Sequence, residues 1–121
     1  MHNEYFDKAT SLKKSEQYRE AIDYYDKAIK LDENNADYYS EKADCLRLLG
    51  RYQESKTYFD KAIKLDENNA FLYYGKGHCL EELGRWEEAL GYYNKAIELD
   101  PDNEDYPKDK LRIIKQLKKI W

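Results

Sequence analysis

Apolar residues recur along this chain at intervals of three and four, as in Tyr39, Ala43 and Leu46 and again in Tyr58, Phe59, Ala62, Ile63 and Leu65. That spacing lines one face of an α-helix, whereas a half-buried strand would alternate. Helices are predicted over residues 3–15, 18–31, 37–49, 52–65, 71–83, 86–99 and 106–120. Gly50 and Gly84 fall between paired apolar runs, where a residue with positive φ can close the first helix of a pair; Glu16 stands at that place in the first pair. The polar clusters Asp32-Glu33-Asn34-Asn35 and Asp66-Glu67-Asn68-Asn69 separate one pair from the next and offer side chains that cap the following helix. Connections this short make neighbouring helices antiparallel.

The pattern repeats. Asp26 to Ala36 reads DKAIKLDENNA, Asp60 to Ala70 reads the same eleven residues 34 positions later, and Asn94 to Asn103 reads NKAIELDPDN after another 34. The chain divides into Met1, units 2–35, 36–69 and 70–103, and a tail 104–121, an arrangement expected to form one repeat domain over 1–121. A lone hairpin of this size buries one face and leaves another wet, so its neighbours must stack until a cap ends the array. Small residues permit the stacking: Ala9, Ala43 and Gly77 on the first helices, Ala28, Ala62 and Ala96 on the second.

These units resemble the tetratricopeptide repeats, whose period is 34 residues. The third matches best, with Tyr73, Gly77, Leu80, Gly84, Ala89, Tyr93, Ala96 and Pro101 at the family's positions; the second carries Tyr39, Ala43, Leu46, Ser55, Phe59 and Ala62, and the first Tyr5, Ala9, Leu12, Ala21, Tyr25 and Ala28. Lys8, Lys42 and Lys76 depart from a usually apolar position, and Glu33 and Glu67 replace a terminal proline. A lysine stem can lie along apolar surface with its ammonium in water. The resemblance implies an all-α solenoid of three helix-turn-helix repeats plus a C-terminal capping helix. It also implies a concave groove lined by the first helices, and a non-catalytic scaffold or adaptor for a protein or peptide segment.

The tail fits that cap. Pro107 sits near its start, where a missing N–H is harmless. Leu111, Ile114, Leu117 and Trp121 form an apolar stripe widened by Ile113 and Ile120, and Lys108, Lys110, Arg112, Lys115, Lys118 and Lys119 fill the remainder. The units carry net charges of −2, −1 and −4 and the tail +3. Two readings follow: tail cations that complement the acidic third unit, or a basic surface of Lys108, Arg112, Lys115, Lys118 and Lys119 for an anionic ligand. The overall charge of −4 argues against indiscriminate binding to nucleic acid. No apolar stretch is long enough to span a bilayer and no apolar signal region follows Met1, so a cytoplasmic location is expected.

Most of the eighteen aromatic residues occupy equivalent positions in successive units, as packing requires. Phe6, Phe71 and Tyr74 do not. On a helical wheel the face opposite the packing positions reads Asn3, Phe6, Thr10 and Lys13 in the first unit. It reads Asp37, Ser40, Asp44, Arg47 and Leu48 in the second, and Phe71, Tyr74, His78, Glu81 and Glu82 in the third. Exposed rings on that face suggest anchors for an extended or helical peptide. The alternatives are an idle surface, or self-association in which Phe6 or the tail serves a homo-oligomer. Some members of the family grip chaperone tail carboxylates with Lys, Asn and Arg; carried over, those positions hold Phe6, Thr10, Glu41, Phe71 and Gly75, which argues against that mode. Gly75, inside a predicted helix, costs about 1 kcal/mol relative to alanine and either allows close backbone approach or is tolerated drift.

Other chemistry finds little support. Cys45 and Cys79 are equivalent in neighbouring units and are expected to be separate, reduced and packed. His78 and Glu82 share a helical face while Cys79 points away, and two ligands do not make a metal site. Glu81, Glu82, Glu87 and Glu88 lie in charged helical stretches without the apolar pocket that acid–base work requires. No nucleophile elbow, phosphate-cradling loop or metalloprotease motif occurs, so neither an enzymatic activity nor a cofactor is expected.

Overall fold

The computed structural model describes residues 3–120. Its helices are α1 (Glu4–Lys14), α2 (Tyr18–Leu31), α3 (Ala36–Leu48), α4 (Tyr52–Leu65), α5 (Ala70–Glu82), α6 (Trp86–Leu99) and α7 (Asp105–Ile120). No strand interrupts them among the described residues. Each helix packs on the one before it and the one after it, the layered order of an all-α repeat stack. The bounds agree with the predicted ones to within a residue.

Local chemistry sets those bounds. The side chains of Asn35 and Asn69 accept from the N–H groups of Asp37 and Phe71, and Asn103 accepts from Asp105 and Tyr106. These asparagines satisfy donors that the first turn of a helix cannot. At the other end, Gly50 and Gly84 both adopt φ of 79°, and the next residue's N–H returns to Leu46 or Leu80 across the turn, Arg51 at 2.9 Å and Arg85 at 2.8 Å. Glu16 makes the same turn with φ of 62°, and Gln17 N–H reaches Leu12 O at 2.9 Å. A glutamate therefore holds a backbone conformation that costs an L-residue about 1–2 kcal/mol.

The core runs along the stack. Ala9, Ala21, Ala28, Ala43, Ala62, Ala89 and Ala96 are wholly inaccessible, as are the equivalent rings Tyr25, Phe59 and Tyr93. One buried polar group lies at a position that is alanine in the neighbouring units: Ser55 Oγ donates to Ala43 O at 2.6 Å and lies 3.3 Å from Cys79 Sγ. Cys45 and Cys79 are both free and buried, and burial pushes the Cys45 thiol up to about 12.

Lysine departures from the family pattern staple units together. Lys42 Nζ pairs with Asp26 at 2.5 Å and sits 3.9 Å from the centre of the Tyr58 ring. One unit on, Lys76 pairs with Asp60 at 2.6 Å and sits 4.3 Å from the Tyr92 ring. Lys8, at the same position in the first unit, is exposed.

The tail corrects one expectation. Tyr106, Ile113 and Leu117 are the buried residues of α7, whereas Leu111 is 52% and Ile120 65% exposed. The helix docks in the register of the earlier first helices, so residues equivalent to Leu72 and Cys79 turn inward and the Leu111 side of the expected stripe faces out. Trp121 lies outside the described residues.

Candidate functional site

Helices α1, α3, α5 and α7 present the residues singled out above on a shared face, held in place by α2, α4 and α6 behind them. Charges along this face are closed on one another. Lys13 Nζ bonds Glu41 Oε2 at 2.9 Å and Asp44 Oδ2 at 2.8 Å. Asp44 Oδ1 in turn accepts from Arg47 Nη2 at 2.6 Å and from Nε at 3.1 Å. At the other end Arg112 forks onto Glu81, with Nη2 to Oε1 at 2.7 Å and Nε to Oε2 at 2.9 Å, and reaches Asp109 with Nη1.

Buried tyrosines support these pairs from below. Tyr25 donates its hydroxyl to Glu41 at 3.3 Å and lies 3.2 Å from Thr10 Oγ1; Tyr93 donates to Glu81 at 2.7 Å. Burial pushes Tyr25 up to about 12, and burial together with the Glu81 carboxylate raises Tyr93 well above the ordinary phenol range. Burial alone would raise Asp44, but hydrogen bonds from Lys13 and Arg47 outweigh it and hold the carboxyl below its usual value. Glu81 is lowered the same way, against burial, by Arg112 and Tyr93. Burial and the nearby Arg47 charge lower His78, whose Nδ1 is enclosed without a partner and whose Nε2 lies 3.8 Å from Glu82. The imidazole is therefore neutral at pH 7.

Several expected groove residues are less open than the helical wheel implied. Ser40 and Asp44 are each only 7% exposed. Ser40 turns its hydroxyl onto Asp37 O, and Asp44 is enclosed by its two cations. Phe6 is half-buried, with its ring centre 5.0 Å from Tyr38 and 5.8 Å from Tyr25. Tyr74 is half-buried between Tyr106 at 4.9 Å and Tyr93 at 5.7 Å. Burial and the Asp109 carboxylate push its hydroxyl up to about 12. These rings bridge one unit to the next because stacking brings Tyr38 and Tyr106 over them. Phe71 remains open at 36%, edge-on to Phe59 at 6.2 Å, and with Tyr106 it borders a surface cavity of about 450 Å³. Asp37 and Leu48 are exposed, and Thr10, Arg47 and His78 are half-buried.

Among the basic tail residues, Arg112 is committed to Glu81, which ties the cap to the acidic third unit. Lys108 lies 4.0 Å from Asp105, and Lys115, Lys118 and Lys119 are exposed.

Sequence reasoning overlooked the role of Glu41 in this network and the cause of Gly75. An alanine Cβ at Gly75 would lie 2.3 Å from Phe59 Cζ and 2.6 Å from Cε1, so the buried ring occupies the space that any side chain would need. A signal was present at the 34-residue period: Glu41, Gly75 and Asp109 are equivalent, as are Tyr25, Phe59 and Tyr93. Glycine occurs where the facing ring lacks a hydroxyl, and a carboxylate where it has one.

Family models described as tetratricopeptide repeat match residues 6–70 and 70–103. Among solved structures, the first TPR of Spaghetti (RPAP3), bound to the HSP90 peptide SRMEEVD, is similar with a TM-score of 0.91 and 25% identity, over 93% of this chain and 90% of that one. The Arabidopsis OM64 TPR domain is similar with a TM-score of 0.89 and 31% identity, over 92% of each chain. The second TPR domain of human RPAP3, in complex with the HSP70 peptide SGPTIEEVD, shares the fold with a TM-score of 0.86 and 24% identity, over 90% of this chain and 91% of that one. No curated protein matches the sequence.

Proposed function

The chain belongs to the tetratricopeptide repeat family, and from that premise we propose a non-catalytic adaptor that binds a peptide or protein segment across the face of its first helices. The observation that carries this reading is the aromatic patch of Phe71 and Tyr74, rings 6.4 Å apart, beside ion pairs already closed on themselves. Peptide-bound relatives such as the first TPR of Spaghetti (RPAP3) support an interaction role. A preformed face costs the receptor little ordering entropy when a segment docks. The three units and α7 serve as one repeat domain in this reading, with no cofactor.

Affinity would come from apolar anchoring at Phe71 and Tyr74, framed by Phe6, Thr10, Asp37, Arg47 and His78. It would not come from clamping a terminal carboxylate: Phe6, Thr10, Glu41, Phe71 and Gly75 offer no cation, and Lys13, Arg47 and Arg112 are each neutralised by a carboxylate. No helix among the described residues is long and apolar enough to cross a membrane. A peptide array probed with wild type and with Phe71→Ala plus Tyr74→Ala tests the reading. Apolar or aromatic segments should bind and lose about tenfold or more with the double variant, and the peptide SRMEEVD should not bind. Binding of SRMEEVD by wild type and variant alike would overturn it.

A further inference from the structure

Among the described residues, α7 has no second helix on its outer side, whereas α1, α3 and α5 pack against α2, α4 and α6 there. In the second and third units the equivalent residues are enclosed: Ala43 clusters with Phe59 and Ala62 of its own second helix, Leu80 with Ala89 and Tyr93 of its own, and Leu46 with Leu12 and Tyr25 of the first unit, while Gly77 stands at the position of Ala43. Ala43, Leu46 and Leu80 are at most 1% exposed, and a Cβ added at Gly77 would meet Tyr93 at 2.9 Å and Ala89 O at 3.4 Å. The equivalent positions of α7 are Leu111 and Ile114. Leu111 is 52% exposed and Ile114 half-buried, and the helix carries a concave surface of about 470 Å³ that Leu111 shares with Lys108, Lys115, Lys118 and Lys119. The last three of these lysines have no ion partner among the described residues, and Lys108 has only its exposed contact with Asp105.

We propose that this outer face of α7, with Leu111 at its centre, docks an acidic amphipathic helix of a partner protein, seated where the second helix of a further unit would stand. Two features select that occupant. In the inner units the position of Leu111 meets a second helix, and an apolar strip flanked by lysines complements a helix with an apolar stripe bordered by glutamates. Leu111 replaces the alanine or glycine of the inner units, so the partner must oppose it with a small residue. A second copy of this chain is a poor occupant. Its α2, α4 and α6 already bury Ala21, Tyr25, Phe59, Ala62, Ala89 and Tyr93, and the end of the stack formed by α1 presents Glu4, Ser11 and Ser15 where inner units have Tyr38 or Leu72, Cys45 or Cys79, and Leu49 or Leu83. This surface is separate from the aromatic patch proposed above.

The test uses the full chain and a labelled synthetic peptide of about 20 residues, roughly 30 Å as a helix, with Leu and Ala recurring at three and four positions and Glu filling the rest. Fluorescence anisotropy should show saturable binding that weakens with salt. Leu111→Glu, or Lys115→Glu with Lys119→Glu, should reduce affinity about tenfold or more, and Phe71→Ala, which leaves the Tyr74–Tyr106 stack in place, should leave it unchanged. All of these tail side chains are exposed, and a circular dichroism melt confirms that each variant folds. Absence of saturation to about millimolar peptide, equal binding by Leu111→Glu, or equal binding of a peptide with its apolar residues scattered would overturn the proposal. So would capture by phosphatidylserine vesicles but not by the peptide, or a dimer dispersed by Leu111→Glu in light scattering.

Discussion

Replacing Gly75 with alanine should destabilise the stack, although alanine is the better helix former. An interior Gly→Ala change gains about 1 kcal/mol in helix propensity. Against that gain, the new methyl would lie 2.3, 2.6 and 2.8 Å from three ring atoms of Phe59, whereas carbon atoms in comfortable contact are about 3.5–4.0 Å apart. Either the ring or α5 must shift by more than about 1 Å. The ring has no room to do so, since Phe59 is fully buried in a cluster with Ala43, Ala62, Leu72 and Cys79 and has Phe71 across its edge. Overpacking of this kind costs about 1–3 kcal/mol, so the expected net loss is about 1 kcal/mol, roughly 3–5 °C in Tm for a chain of this length. Urea unfolding followed by circular dichroism measures it. The same change in a Phe59→Leu background should be neutral or stabilising, because the methyl then meets a smaller, adaptable side chain and the propensity gain remains. A rise in stability with Phe59 in place, or an equal cost in both backgrounds, would refute the ring's assigned position.

Glu16→Gly should stabilise by about 0.5–1 kcal/mol, since it relieves a left-handed residue at the position where Gly50 and Gly84 already stand; a thermal melt measures the shift. Lys42→Ala should cost about 1 kcal/mol through loss of the Asp26 pair and the Tyr58 contact, whereas Lys8→Ala, at the same repeat position without those partners, should leave the urea midpoint unchanged. The folded carboxyl of Asp44 lies below its ordinary value, so the unfolded chain takes up that proton first as pH drops. Its contribution is complete above the usual carboxylate pKa of about 4 and is lost as pH falls through the lowered folded value; stability measured from neutral pH into acid should fall less steeply in Asp44→Asn. Both thiols are buried and raised by burial, so a thiol-specific colorimetric reagent should label Cys45 and Cys79 only at the rate of unfolding.

The helices, their pairing and the stacking were legible in the sequence because they follow from near-neighbour rules. A three- and four-residue apolar spacing, an asparagine ahead of α1, α3, α5 and α7 and a glycine after α3 and α5 act within one turn of chain, and a 34-residue period forces each unit to meet its neighbour in the same way. Side-chain state on the first-helix face was not legible, because it depends on partners one or two units away. A wheel drawn for α3 alone leaves Asp44 outward; only the arrival of Lys13 from α1, and of Arg47 beside it, turns that position into an enclosed ion pair. Gly75 alone reads as a defect, and it becomes necessary once the Phe59 ring of α4 occupies the space of its absent side chain. The stripe on α7 looked continuous from Leu111 to Trp121, yet docking could bury only one side of it, because α5 and α6 offer a single seam to an incoming helix. Periodicity along the chain determines which elements form and that they stack; the choice among polar and aromatic partners across a seam is decided by three-dimensional distance, which no local pattern encodes.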